Sequence, residues 1–468
     1  MKRPYFPLSV ASVLLLSLIY WLYLSQTIRM DIVFDSHDYR FLGRMIYYQG
    51  WISYFTTGPN REPLYPLLIA LSMIFEHCTG VTFVKIMAIF DVIIMSLTQV
   101  LTYKILRLLN IRQGICVLIL TYLALSPAFN NSAFSLYSEI ATFPFILGII
   151  LASFYAWEAI AQSRWQKSIL YGALLGLLLT AATFIKAVFE CITPTYLIIF
   201  FVTVYYCSFR DCFVTLAMTR ILPLILCLIA AISFYYVPVT GYKWLNQHYN
   251  GNFVITDRAS WALYGNTARR IEPLTIKRFE GALASTQGEY YCGILLGPKE
   301  GDFWSFRESD VLGHTKLSEL KSKHLSLERI NANLLRSSVQ EAFQHPFQYI
   351  LLTFVEGLKM FFWERVHSGG FVNFPHWLEK IYAIPRLFNF LCFLVNEVTI
   401  IAVVSLWMKV LTPYKSPIPF LIGVLLFLYI LFYSFFFILT RYALPIAPLY
   451  LISIGLWIEQ NLAPKKTI

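Results

Sequence analysis

Residues 8–24 read LSVASVLLLSLIYWLYL, an uninterrupted apolar run close to the roughly 20 residues a helix needs to cross hydrocarbon. The stretch that follows has the opposite character. Between Asp31 and Pro66 the chain places three aspartates (Asp31, Asp35, Asp38), three arginines (Arg40, Arg44, Arg61) and the run Asn60-Arg61-Glu62-Pro63-Leu64-Tyr65-Pro66. Holding such a group against a bilayer is costly unless it lies in a hydrated cavity with partners. The apolar run therefore sets the class of fold, and the charged loop is where chemistry is expected.

The rest of the chain agrees with that class. Of 468 residues, 58% are hydrophobic, 17% aromatic and only 13% charged, and the mean hydropathy is +0.62. These values lie far from a soluble domain and predict an all-α polytopic membrane protein. The formal net charge of +11 does not point to nucleic acid, because the basic residues fall in short clusters between apolar runs and no compact basic domain is present. Cys78, Cys116, Cys191, Cys207, Cys212, Cys227, Cys292 and Cys392 show no paired metal-ligand spacing and read as packing residues. Lys2 and Arg3 before the first run resemble a signal peptide, but no small-x-small cleavage site follows, so a retained anchor is expected.

About ten spans are expected, over residues 8–25, 82–103, 113–129, 139–161, 169–186, 190–208, 221–240, 387–408, 417–439 and 442–459. With Lys2 and Arg3 cytoplasmic, alternation also leaves Lys104, Arg107, Arg112, Arg164, Lys167, Arg210, Arg220, Lys409, Lys415, Lys465 and Lys466 inside, as the positive-inside rule asks. The same parity puts the charged loop, the stretch from Pro127 to Glu139, Lys186 to Glu190, residues 241–386 and Arg441 outside. Residues 64–75 are too short to span and 347–363 carry Glu356 and Lys359, so both are expected as helices in the outer interface, with Glu356 and Lys359 a surface pair. Three regions result: a module of about seven spans over 1–240 with its outer loop at 27–81, an extracytoplasmic insertion over 241–386 containing an amphipathic helix at 311–342, and a module of about three spans over 387–468.

Asp35-Ser36-His37-Asp38-Tyr39 and, some twenty residues on, Arg61-Glu62 supply carboxylates and a guanidinium at the mouth of the first span. A carboxylate there can take a proton from an acceptor, and an arginine can hold a phosphate through paired hydrogen bonds. A solvated loop of ordinary ion pairs fits the same residues, and the aromatics around them suit an interfacial belt. Glu139 reads either as a sugar-binding carboxylate or as an acid favoured by the helix dipole. Lys186 reads as a phosphate partner or a snorkelling lysine, and Arg441 with Tyr442 as a phosphate partner or an interfacial anchor. The scattered histidines argue against a metal cluster, although Asp31, Asp35 and Asp38 together could hold one divalent ion.

The Asp-Ser-x-x-Tyr element, the Arg-Glu-Pro-Leu-Tyr-Pro start of an interfacial helix, the Ser126-Pro127 and Ser138-Glu139 pairs, and the Arg-Tyr-x-x-Pro-x-x-Pro run from Arg441 resemble the GT-C glycosyltransferases. The likeness is to bacterial relatives of the protein O-mannosyltransferases and the lipid A aminoarabinose transferase, and it covers the first seven spans and the final helix. It implies a GT-C-like bundle in a bacterial inner membrane, taking a sugar from a polyprenyl-phosphate carrier on the extracytoplasmic face without a required cofactor. Asp35 is then the catalytic acidic residue with Asp38 second, and Arg61, Glu62, Tyr39, Glu139, Lys186, Arg441 and Tyr442 meet substrate. The order Arg61-Glu62-Pro63 inverts the Glu-Lys-Pro of the aminoarabinose transferase, which leaves open which residue meets phosphate and which meets sugar. The acceptor is a glycan, a lipid or a protein. Two other readings are a transporter or flippase of lipid-linked glycans and a polymerase or ligase of such glycans.

Overall fold

The structure, a computed structural model, describes residues 7–58, 61–209, 214–364, 372–382, 384–410 and 417–462. Lys2, Arg3, Asn60, Arg210, Cys212, Lys415, Lys465 and Lys466 lie outside the described residues. The chain is almost wholly helical. Among the described residues nine helices are long and apolar enough to cross a membrane: Leu8–Thr27, Phe83–Leu108, Ile140–Ala161, Trp165–Ile185, Phe189–Cys207, Thr219–Asn250, Asn389–Lys409, Pro417–Ser434 and Thr440–Asn461. They are compatible with an integral, multi-pass membrane protein. The span expected at 113–129 is instead a broken pair, Gln113–Leu125 and Pro127–Ala133, bent by 50°. Pro127 has no N–H to continue the first helix, and the Ser126 side chain accepts from Phe129 N to start the second.

Apolar helices gain little from burying one another in hydrocarbon, so small residues decide which of them approach closely. Gly172 and Gly176, one turn apart on Trp165–Ile185, are such a pair. A Cβ on either would stand 2.4 Å from a backbone oxygen of the helix Val214–Asn250, that of Cys227 or of Ala231. One end of the bundle is tied by Arg112 to Glu459 at 3.1 Å and by a Ser163–Thr219 hydrogen bond. Asp35, Glu139, Lys186, Lys243 and Tyr442 gather at the opposite end.

That second end carries the shorter elements. Asp35–Thr56 and Leu64–Thr79 pack on each other, the latter a short apolar helix as expected. Residues 250–361 form helices around two small apolar clusters of their own. The single amphipathic helix expected at 311–342 is two, Phe306–Ser322 and Leu327–Gln344, because Ser326 caps a fresh start by accepting from Arg329 N. Glu356 and Lys359 are not a surface pair. Both are fully buried, and Glu356 takes Arg269, Arg270 at 2.7 Å and Lys359 at 3.4 Å. Arg270 also donates to Ser434 O at 2.7 Å, which fastens the insertion to the bundle. Arg29–Met30 and Val372–Asn373 make a two-residue antiparallel bridge, pairing Arg29 with Asn373 and Met30 with Val372.

Candidate functional site

The helix Asp35–Thr56 begins after Phe34, whose φ of +49° is unfavourable for a residue with a side chain. This turn sets Asp35 and Asp38 in the first helical turn, where the helix dipole favours anions, and three residues apart on one face. Arg61 reaches them from the loop before Leu64–Thr79. Its Nη2 donates to Asp35 Oδ1 at 2.6 Å and Asp38 Oδ2 at 2.9 Å, and its Nε to Asp38 Oδ2 at 3.2 Å. The other oxygen of Asp35 accepts from Arg441 Nη2 at 2.5 Å, across nearly the whole chain. Burial raises the Asp35 carboxyl, but the guanidiniums of Arg441 and Arg61 outweigh it and hold the group below its usual range. Burial likewise works against charge on Arg61, yet Tyr39, Asp35 and Asp38 more than compensate, so it stays charged.

Aromatic rings frame these charges. Arg61 lies 5.2 Å from the Tyr39 ring centroid and Arg441 4.7 Å from that of Tyr137. Tyr39 shares a 2.9 Å hydrogen bond with Ser138, and burial pushes its hydroxyl up to about 12, so it remains a phenol. Behind it, Lys186 pairs with Glu139 at 3.2 Å, both almost closed to solvent. The second oxygen of Glu139 and the Nε of Arg441 are buried without a partner, an expensive state for groups of this kind. Glu62 makes no ion pair with Arg61 and instead accepts from Ala187 N at 2.9 Å.

A central cavity of 280 Å³ is lined by Asp35, Tyr39, Arg61, Glu62, Glu139, Lys186 and Tyr442. Asp38 faces a neighbouring cavity, and Arg441 touches the site through Asp35. The candidate residues from four distant stretches are thus brought together. Asp31 is not among them: it lies near Arg29 at 3.7 Å and accepts from Asn373 at 2.7 Å. Asp31 thus stands apart from Asp35 and Asp38, and no three His, Cys, Asp or Glu side chains among the described residues are arranged to hold a metal.

Other polar residues here escaped the sequence reading. Lys243, bonded to Glu190 at 2.6 Å, lines the central cavity with Arg258, Trp261 and Asp310 of the insertion. Asp91 is buried within a span with one carboxylate oxygen unpartnered. Glu364 is buried and accepts from Ser126 Oγ at 2.7 Å and Ala128 N at 3.1 Å, and burial pushes it up to about 7. A lone acid inside an apolar run was the available signal for Asp91.

A cavity of 770 Å³ adjoins this site and is almost wholly apolar. It meets the central cavity at Cys191, Val254, Thr256, Ala259 and Phe436. Phe343 and Ile350 stand exposed on its wall.

No family model matches the chain, and no match is found among curated proteins.

Proposed function

We propose that this protein is an inverting glycosyltransferase of the GT-C type, moving a sugar from a polyprenyl-phosphate donor to a hydroxyl on an extracytoplasmic acceptor in a bacterial inner membrane. The observation that carries this reading is the confluence of the 770 Å³ apolar cavity with a central cavity walled by Asp35, Arg61, Glu139 and Lys186. That shape and chemistry suit an amphiphile whose long chain lies in the first and whose phosphate and sugar lie in the second. The basic residues Lys104, Arg107, Arg112, Arg164, Lys167, Arg220 and Lys409 sit at the other end of the spans, so the positive-inside rule supports an extracytoplasmic site.

In this reading the bond between the anomeric carbon and the phosphate oxygen breaks as one to the acceptor oxygen forms. The acceptor proton passes to Asp35, and polyprenyl phosphate leaves. Asp35 is a weak base while both its oxygens hold guanidiniums. A donor phosphate that draws Arg61 or Arg441 to itself frees a carboxylate oxygen for the proton, so donor binding readies the base. Lys186, Lys243 and Arg258 are further cations lining the central cavity. The unpartnered oxygen of Glu139 is an acceptor for a sugar hydroxyl. Positions for several such groups on rigid helix ends are what orientation-based catalysis needs.

The test is release of polyprenyl phosphate and transfer of labelled sugar when purified protein meets a panel of polyprenyl-monophosphate sugars and a cell-envelope extract. Transfer from at least one donor is expected. Consumption of diphosphate-linked oligosaccharides alone would replace this reading by a polymerase or ligase, and vectorial movement without bond cleavage by a transporter.

A further inference from the structure

A third cavity, of 370 Å³, opens beside the central one and shares Asp35, Arg61 and Trp261 with it. We infer that this cavity is the acceptor subsite and that it takes the uncharged terminal sugar of a glycan, presented from water, on Trp261, His314, Asp38, Asp257, Asp310 and Lys321. The inference rests on the donor reading above for the identity of the reaction, and on three observations of its own.

The first is direction. The apolar cavity touches neither Asp35 nor Arg61, whereas the third cavity reaches both. Displacement with inversion brings the nucleophile in on the face opposite the leaving group. The central and third cavities both open onto Asp35, so donor and acceptor can reach one carboxylate from two adjoining cavities.

The second is charge. The walls carry Asp35, Asp38, Asp257 and Asp310 against Arg61, Arg258 and Lys321, so neither an anion nor a cation finds a field of one sign. Closely spaced acceptors and donors of both kinds instead match an array of hydroxyls, each of which gives one hydrogen bond and takes others. The volume lies within the usual range of small-ligand sites, about 300–1,000 Å³.

The third is a built aromatic wall. Trp261 and His314 face each other with centroids 4.2 Å apart. They are held there by helices Arg258–Arg270 and Phe306–Ser322, which approach through glycine. A Cβ on Gly313 would stand 2.6 Å from Trp261 O, and one on Gly265 would stand 2.0 Å from Ser309 O. His314, whose side chain is 53% exposed, offers its outer ring face to the apolar face of a pyranose, backed by the buried Trp261 and with carboxylates at the rim.

The experiment uses full-length protein in nanodiscs and, as probe, neutral oligosaccharides freed of lipid from the cell envelope. His314→Ala removes half of the aromatic wall, and Lys321→Trp fills the cavity from an exposed position, so neither threatens the fold. Calorimetry without donor reads binding, and the transfer assay reads the KM of each substrate. Both variants are expected to weaken oligosaccharide binding and raise its KM by about ten-fold, the loss of one stacking contact and a hydrogen bond, with donor KM unchanged. Equal oligosaccharide KM in wild type and variants, or a parallel rise in donor KM, overturns the inference. So does competition for the site by a phospholipid or peptide acceptor where oligosaccharide has no effect. The two readings fail separately: oligosaccharide binding lost in both variants while no polyprenyl-phosphate sugar is consumed removes the donor reading alone.

Discussion

Replacing Glu356 by glutamine removes the one carboxylate on which Arg269, Arg270 and Lys359 converge, inside a cluster closed to solvent. Burial alone would raise that carboxyl, but the three cations overcome it and hold the group well below the usual range. Breaking a buried pair by deleting one partner costs about 3–5 kcal/mol, because a charge is left without compensation. Glutamine keeps the volume and one acceptor oxygen, which places the change near the lower bound, about 3 kcal/mol, or a roughly 150-fold rise in the population of the opened insertion. Arg270 also holds Ser434 O, so the opening should free the helices of residues 258–361 from the bundle before the spans themselves unfold. The assay is limited proteolysis in detergent at fixed protease, under conditions where cleavage follows the open population. Cleavage within 258–361 should accelerate by about two orders of magnitude in Glu356→Gln. Equal rates in wild type and variant would refute the latch. The sign with pH follows from the lowered carboxyl. The contribution of Glu356 is complete above its ordinary value of 4.5 and is lost only as pH falls through the much lower folded value.

Glu364 gives the opposite sign. Its carboxyl is raised from 4.5 to about 7, so between those values the folded protein keeps a proton that the unfolded chain has lost, and stability falls as pH rises through that window, by roughly 3 kcal/mol in all. Glu364→Gln should remove the slope of melting temperature against pH between about 5 and 7.5; parallel slopes in the two proteins would contradict this. Leu335→Trp narrows the apolar cavity at a half-exposed helix position. It should raise the KM for donors with long isoprenoid chains by about ten-fold, since each buried methylene contributes about 0.8 kcal/mol, while short-chain donors respond little. An equal effect on both would remove the chain from that cavity.

Much of the site could be read from the sequence because a charge in hydrocarbon is so costly. Once the spans are counted, alternation sends Asp35, Glu139, Lys186 and Arg441 to the same end, where the structure pairs Asp35 with Arg441 and Glu139 with Lys186. What alternation cannot give is which partner each finds. The Arg441 contact with Asp35 bridges residues 406 apart. Arg61 is one of three candidate phosphate partners with Lys186 and Arg441, and in the structure its guanidinium pairs with two aspartates. Glu356 and Lys359 have the spacing of a surface pair, and only the arrival of Arg269 and Arg270 from another helix makes them a buried cluster. Lys243, Trp261 and Asp310 stayed hidden for a related reason. Trp261 and Asp310 reach the site through the packing of insertion helices and Lys243 from the end of the long helix Thr219–Asn250, and no period or motif marks that approach in advance. The break at Ser126-Pro127 was different, since proline carried the local signal and the apolar count overrode it.

The measurement that bears most directly on the central claim compares wild type with Asp35→Asn, both in nanodiscs, for transfer of labelled sugar from a polyprenyl-phosphate donor, with donor binding read separately. The account predicts transfer by wild type and a loss of about 10²–10⁴-fold in the variant with the donor still bound, the scale on which a positioned base acts. Full transfer by Asp35→Asn would contradict it, as would failure of wild type to release polyprenyl phosphate from any monophosphate donor.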